Sequence, residues 1–543
     1  MPLPNRLFPV RPVILAGILL LLVAPATAQL PDPDQPDPAV DVEHYAFDLT
    51  LSDASDTIRG AATIRIHLLQ PGVSTVMLDF MDYMTVRDVL VDGRQAPFTH
   101  ADNDLQISLP TELNSDKTLS IRIIYDGIPQ DGLIISTNRH GDRTFFGDNW
   151  PNRARHWLPT VDHPADKATV AWTIRAPVHY QVVGTGLLLE ETFLAPDMML
   201  TRWATNVPIP TKVMVMGAAR FAVSHEGDVY GVPISSWVYP QDRDAGFHDY
   251  ALATRITRWM TDAVGEFPYE KLANVQSKTR FGGMENASNI FYSEGSVTGE
   301  RRSEGLIAHE IAHQWFGNSA SEKDWHHIWL SEGFATYFTQ LWMEHTYGRD
   351  QLETGMAGLR DRVLAYADQN PDIPVVDERI TNLMQLLSTN SYQKGGWTLH
   401  MLRREVGDDA FWRGIRDYYR TYRDSNALTR DFRAVMERAS GRQLGAFFDQ
   451  WIFQPAYPDL SLSWRSVDGG VELTVRQEQD HHTYDFPLDV DTVAPDGQQT
   501  RHALRVSARE QTFRLDVDGT ATRLVPDPDT WLLARFRISQ STN

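Results

Sequence analysis

Two periodicities divide the chain. From about residue 40, apolar and polar positions alternate: Ala62, Ile64, Ile66 and Leu68; then Val76, Leu78 and Phe80; Leu119, Ile121, Ile123 and Tyr125; Val170, Trp172 and Ile174. A period of two is that of a strand with one buried face, and Asp92-Gly93 and Asp126-Gly127 punctuate the runs as turns. Residues 40–240 therefore read as a mostly antiparallel β domain ending near Pro240. From His248 the period becomes helical, which predicts a mostly helical domain over 241–453. Phe411, Ile415, Tyr418 and Tyr422 share one helical stripe there, and Thr429 is placed to cap the helix bearing Phe432, Val435 and Met436. The helices stop at Gln454-Pro455. Alternation returns in Val471, Leu473 and Val475, in Phe486, Leu488 and Val490, and in Phe513, Leu515 and Val517. Residues 454–543 read as a small C-terminal β-sandwich, so the fold class is α+β and multidomain, with no internal repeat.

The first forty residues differ from both patterns. Arg6 and Arg11 precede an apolar run over 13–23, and Ala26, Thr27 and Ala28 offer a small-residue cleavage site. Residues 1–28 read as an export signal, too short in its apolar part to span a bilayer comfortably. Export to a periplasmic or secreted location is the expectation, without a stable membrane span. Residues 29–39 form an acidic, Pro-rich tether that cannot build a core. The net charge is −21, and loss of the signal removes two basic residues and no acidic one. That sign argues against nucleic acid or anionic membrane as a partner. The chain has no Cys, so stability must come from core burial without disulfides.

Chemistry concentrates in residues 309–332, HEIAHQWFGNSASEKDWHHIWLSE. On a helix, His309 and His313 lie four residues apart on one face, where two imidazoles can hold one zinc ion. Glu310 sits beside the open coordination position as a candidate base. Leu306, Ile307, Ile311, Trp315 and Phe316 give this helix a large apolar surface, amid which a His pair and a Glu are costly without a metal or hydrogen-bond network. Glu332 can supply a third ligand from the next helix, where Ala335 and Thr336 permit close approach. His326 and His327 are rivals for that place, but they precede the apolar run of the second helix and read as loop or supporting residues. The metzincin pattern fails, because Phe316 and Ser319 stand where Gly and His are required.

Two further stretches carry candidates. Over 281–294, FGGMENASNIFYSE, paired glycines before an apolar run suggest a strand approached closely by another group, with Glu285 at its centre. An extended peptide could pair with such an edge, and a bulge with a solvated Glu fits the residues equally well. Over 391–405, Tyr392 precedes a helix start, where its phenol can point into a cleft or serve packing alone.

Gly282-Gly283-Met284-Glu285-Asn286, the 309–332 stretch with Trp329-Leu330-Ser331-Glu332-Gly333, and Tyr392-Gln393-Lys394-Gly395 occur in this order and spacing. Together they resemble the gluzincin metallo-aminopeptidases, the group of aminopeptidase N and the leukotriene-hydrolase aminopeptidases, over nearly all of the chain after the signal. The resemblance implies a saddle-like N-terminal β domain, a thermolysin-like catalytic domain and a β-sandwich. It implies one zinc ion on His309, His313 and Glu332, with Glu310 as the base that deprotonates water and Tyr392 as oxyanion donor. It also implies peptide substrates with a free N-terminus: Glu285 pairs with the amine, and Gly282, Gly283, Met284 and Asn286 complete the substrate-binding stretch. Two departures stand out. Asn149 and Trp150 occupy the place upstream of Arg155-His156-Trp157-Leu158-Pro159 where many members carry Gln, and Ser331 replaces the more usual Asn. An epoxide hydrolase of the leukotriene type and a catalytically silent peptide-binding homologue are the alternatives.

Overall fold

The computed structural model describes residues 35–110, 117–517 and 520–541. The expected export signal and the start of the tether lie outside them. The alternating runs of the N-terminal part build a nine-stranded sheet whose centre is formed by Val40–Thr50, Ile58–Leu68, Lys117–Gly127 and Lys167–Pro177. Pairing is antiparallel except between Val40–Thr50 and Lys167–Pro177, which run parallel. Ala62, Ile64, Ile66, Leu119, Ile121, Ile123, Tyr125, Val170, Trp172 and Ile174 are all buried, as period-two reading requires.

One turn assignment fails. Asp92-Gly93 does close a tight hairpin between Val91 and Arg94, with both residues at positive φ. Asp126-Gly127 instead ends a strand, opposite Arg59 and Ile58. Gly127 is needed there for proximity rather than for turning, since a Cβ would lie 2.7 Å from Met84 Sδ.

The next sheet runs in the order Ala222–Val229, Val232–Val238, Leu272–Ser277, Asn289–Ser293, Gly283–Met284. Its first two strands thus precede residue 240 in sequence yet pair with the strands beneath the candidate site. Gly283–Met284 is its free edge, antiparallel to Asn289–Ser293. Leu252–Ala263 and Glu304–His313 pack against it, and Trp329–Tyr347, Arg349–Gln369, Gly395–Val406, Asp408–Tyr422 and Thr429–Ser440 continue the helical part, with Trp329–Tyr347 packed on Glu304–His313. Behind the His-pair helix the core is aromatic: Phe316 packs on Phe334 and Phe338 at 4.8 and 5.0 Å between ring centres, and Phe432 on Phe334 and Tyr418 at 5.1 and 5.0 Å.

Thr429 does not cap its helix. It occupies the first helical position, and its hydroxyl serves His327 Nδ1 and Trp329 Nε1, both at 2.8 Å. Asp431 takes the terminal role by accepting from Leu428 N. The C-terminal strands form two sheets, ordered Glu510–Asp516, Gly470–Gln477, Asp459–Val467, Arg535–Gln540 and Gln499–Val506, Phe486–Val493, Arg523–Pro526. No described helix is long and apolar enough to cross a membrane.

Two lysines, the half-buried Lys167 and the buried Lys212, fasten the N-terminal part to the segment that follows the His-pair helix. Lys167 Nζ donates to the carbonyls of Asn318, Ser319 and Ser425 at 2.7–3.0 Å. Lys212 pairs with Glu322, both side chains being almost fully buried. A buried ammonium is tolerated only where its donors are satisfied, so these contacts fix one relative placement. Burial lowers Lys167 to about 7, although Asp424 and Glu322 oppose the shift.

Candidate active site

The helix Glu304–His313 and the first turns of Trp329–Tyr347 converge as the spacing predicts. His309 Nε2 and His313 Nε2 lie 3.1 Å apart, and Glu332 Oε2 lies 3.3 Å from the first and 3.2 Å from the second. Donors bound about 2.0–2.1 Å from one ion at tetrahedral angles are themselves about 3.3 Å apart. The triangle therefore fits a single zinc ion. Its charge points the same way, because Glu285 and Glu310 bring two more buried carboxylates beside His313, with ligand atoms within 4.8 Å of one another. Three carboxylates buried this closely cannot all stay ionised unless a cation joins them. Burial opposes protonation of His313, yet Glu332 and Glu285 raise it to about 10. Burial, then Glu285 and Glu332, hold Glu310 well above the usual carboxylate range, against the pull of His313.

The neighbours of the triad explain its rigidity. His313 Nδ1 is 3.2 Å from Phe316 O and 3.0 Å from Ser331 Oγ, so the ring is oriented from behind. Gly317, at φ +118, makes room for that contact: a Cβ there would lie 2.1 Å from Ser331 Oγ. Gln314 and Asn318 both donate to Glu285 O at 2.7 Å, and Gln314 Oε1 accepts from Ser288 N at 2.9 Å. The His-pair helix thus holds the turn that carries Glu285. His326 is bonded to Asp324 and to Ile380 O, and His327 to Thr429, so neither joins the triad.

Gly283 is the close approach that the paired glycines suggested. A Cβ on it would sit 2.3 Å from Glu310 Oε1, whereas one on Gly282 would meet only Leu306, at 3.7 Å. Tyr392 arrives from a five-residue π-helical turn, Asn390–Lys394, anchored by Asn390 Nδ2 to the carbonyls of Ile373 and Pro374. Gly333 and Gly395 let this turn press on the Glu332 helix, a Cβ on Gly333 falling 2.9 Å from the Gly395 backbone. The Tyr392 ring stacks on His309 at 5.9 Å, and burial followed by Glu332, Glu285 and Glu310 raises its hydroxyl well above its usual range. It is held as a protonated donor.

These groups line a cavity with Trp150, Phe281, Gly283, Met284 and Leu387. Of the residues picked out by sequence, His309, His313, Glu332, Glu310, Glu285, Gly283, Met284 and Tyr392 meet there. Gly282 and Asn286 are not in its lining. Asn286 is fully buried, and its carbonyl accepts from Asn289 N in the turn behind. The sequence reading left Gln314, Asn318, Phe281 and Leu387 without roles. A Gln and an Asn just past the His pair were the available signal for the first two.

The same stretch of chain is similar to known proteins. Residues 41–213 match the sequence model of the peptidase M1 N-terminal domain, and residues 251–451 that of the peptidase family M1 domain. A probable aminopeptidase 2 of Sulfurisphaera tokodaii is 26% identical over 422 residues, covering 74% of this chain and 52% of the relative. Human glutamyl aminopeptidase is 28% identical over 340 residues, covering 58% of this chain and 34% of its own length. The chain thus spans about half, or less, of the length of these relatives. A crystal structure of a mutant M1 zinc metallopeptidase from Deinococcus radiodurans superposes with a TM-score of 0.66 at 25% identity, covering 78% of this chain and 96% of that one. The two family matches take in the bracketing lysine Lys167 on one side and the whole His309–His313–Glu332–Tyr392 constellation on the other; the chain belongs to peptidase family M1.

Proposed function

We propose that this chain is an aminopeptidase that binds one zinc ion through His309, His313 and Glu332 and removes the first residue of peptides. One observation carries the reading: Glu285, Glu310 and the imidazole pair face a single cavity, so a site for a free ammonium lies beside a site for peptide-bond hydrolysis. Zinc, when bound, supplies Lewis acidity that polarises the scissile carbonyl and acidifies water. Glu310 takes the proton of the attacking water and returns it to the leaving amine. Tyr392 donates its hydroxyl hydrogen to the carbonyl oxygen as negative charge develops there. Glu285 accepts from the α-ammonium, and the free edge at Gly283–Met284 offers main-chain groups for an extended peptide.

The test compares aminoacyl p-nitroanilides with their N-acetyl counterparts, with and without chelator. Chelator-sensitive release from free-amine substrates, with about one zinc per chain by metal analysis, is expected. Glu285→Ala should cost ~10–10²-fold on free-amine substrates, as for a charge-assisted contact of ~1.5–3 kcal/mol, and leave the acetylated ones nearly unchanged. Equal loss on both, with zinc retained, would make Glu285 a support of the site and not its amine anchor. An epoxide hydrolase would share the metal site, and a direct assay on a lipid epoxide separates it. Export remains a reading of residues 1–28, checked by the N-terminal sequence of the protein recovered outside the cytoplasm.

A further inference from the structure

The cavity has polar and apolar lining, and the proposed reaction uses every titratable side chain of it. His309, His313 and Glu332 take the metal, Glu310 the water, Glu285 the amine and Tyr392 the carbonyl oxygen. What remains for the first side chain of the substrate is Trp150, Phe281, Met284 and Leu387. No lysine or arginine is among the lining residues. We infer that these four form the pocket for the first side chain, so that the enzyme takes a neutral aliphatic residue there and rejects charged ones, with Trp150 setting the size limit. The inference rests on the aminopeptidase reading and deepens it.

The wall is built to stay in place. Asn149, at the first position of departure from the family pattern, is turned inward: its Nδ2 donates to the carbonyls of Thr211 and Met214, and its Oδ1 accepts from Trp157 Nε1. Trp150 therefore presents itself alone. Its indole packs edge-on against Phe281 at 6.2 Å and against the buried Trp325 at 6.1 Å, and it is only 2% exposed. Trp325 in turn stands beneath the Lys212 ammonium, 5.9 Å from its ring centre, in the buried pair with Glu322. A ring so enclosed cannot swing away to admit a longer side chain.

Charge leads to the same end. An acidic side chain would enter beside Glu285 and Glu310 with no cation to meet it, a desolvation that nothing offsets. The nearest arginines line a different space. Arg153 and Arg280 face an adjoining cleft that shares Phe281 with the first cavity. They are already engaged: Arg153 Nη2 lies 2.9 Å from Asp148 Oδ1, and Arg280 Nη2 lies 2.5 Å from Asp131 Oδ1. Phe281 is the residue common to both linings, with the Arg153 guanidinium 5.9 Å from its ring centre. A basic first side chain fares no better, since every lining carboxylate is committed to amine, water or metal.

The experiment measures kcat/KM of the zinc-loaded enzyme on Ala, Leu, Phe, Glu and Arg p-nitroanilides, for the natural chain, Trp150→Ala and Phe281→Ala. The natural chain should favour Leu over Glu and Arg by at least ~10²-fold, the scale on which a site rejects a group it leaves unpaired. Trp150→Ala should raise the Phe-to-Ala ratio by about tenfold or more, and Phe281→Ala should raise Glu relative to Leu. If Trp150→Ala does not fold, Trp150→Leu and the half-buried Phe281→Ala decide the matter. Equal rates on Glu or Arg and Leu, or unchanged ratios in two folded variants, would overturn the inference and leave the aminopeptidase standing. No release from any amide would instead overturn the aminopeptidase reading, and the pocket with it.

Discussion

The metal end of the cavity and its aromatic wall are held by different forces. At the metal end, three ligand atoms form a triangle with sides of 3.1–3.3 Å, and Ser331, Gln314 and Asn318 hold the surrounding chain through directional hydrogen bonds. The wall is rings in contact, Trp150 on Phe281 and Trp325, at 6.1–6.2 Å. Directional bonds fail when one partner moves by an ångström, whereas an apolar wall tolerates the exchange of one apolar side chain for another. Changes at the metal end should therefore switch the chemistry off, and changes at the wall should alter which substrate enters.

The sharpest break is at a ligand. His309→Ala or His313→Ala should abolish both zinc binding and hydrolysis, because each supplies one of three protein donors. Full zinc in either purified variant would remove that residue from the set. Next comes the base. Glu310→Gln should retain zinc and lower turnover by at least ~10²-fold, since the water loses its proton acceptor. Near-normal turnover in the zinc-loaded protein would move the base elsewhere.

A smaller effect tests whether an edge strand can enforce the position of a catalytic group. In Gly283→Ala the new Cβ would overlap only side-chain atoms, Glu310 Oε1, Cδ and Cγ at 2.3–2.6 Å, so the fold should survive while the whole Glu310 side chain shifts. Turnover should fall ~10–10²-fold with zinc content unchanged, as for a misplaced catalytic group. If turnover were unaffected, the short approach would be incidental and Glu310 free to settle elsewhere.

The same contrast governs what could be read from sequence. His309, His313, Glu310 and Glu332 lie within 24 consecutive residues, and helical spacing alone brings the first two onto one face. The strands were legible wherever one face is buried, because burial imposes the period of two. Glu285 and Tyr392 were candidates on their own residues and acquired roles only through resemblance, since the elements that carry them meet the triad by tertiary packing. Trp150, Phe281 and Leu387 come from three separate segments, and no local pattern marks an aromatic ring that faces a cavity rather than a core. Asp126-Gly127 and Thr429 misled for a related reason. Both have the composition of a local signal, but their conformations are set by a distant partner: Met84 for Gly127, and His327 with Trp329 for Thr429.

The least disruptive change at the metal end is Ser331→Ala, which asks how much of the triad's order comes from behind it. Ser331 Oγ is 3.0 Å from His313 Nδ1, but Phe316 O is also within reach at 3.2 Å. Loss of the hydroxyl leaves the imidazole one acceptor, so its tautomer should persist and only its orientation loosen. Supporting partners of metal-bound histidines are typically worth 10–100-fold in affinity, and the remaining carbonyl places this case near the lower end, about tenfold. Zinc affinity measured by competition with a chelator should show that loss, with thermal stability barely changed. Ser331→Asn, which introduces the side chain more usual in the family, should be worse than alanine here. A Cβ on Gly317 would already lie 2.1 Å from Ser331 Oγ, so the backbone is packed against a hydroxyl and has no space for an amide. Should the asparagine variant bind zinc as tightly as the natural chain, the serine would be an interchangeable acceptor, and the close packing of Gly317 would have nothing to do with holding His313.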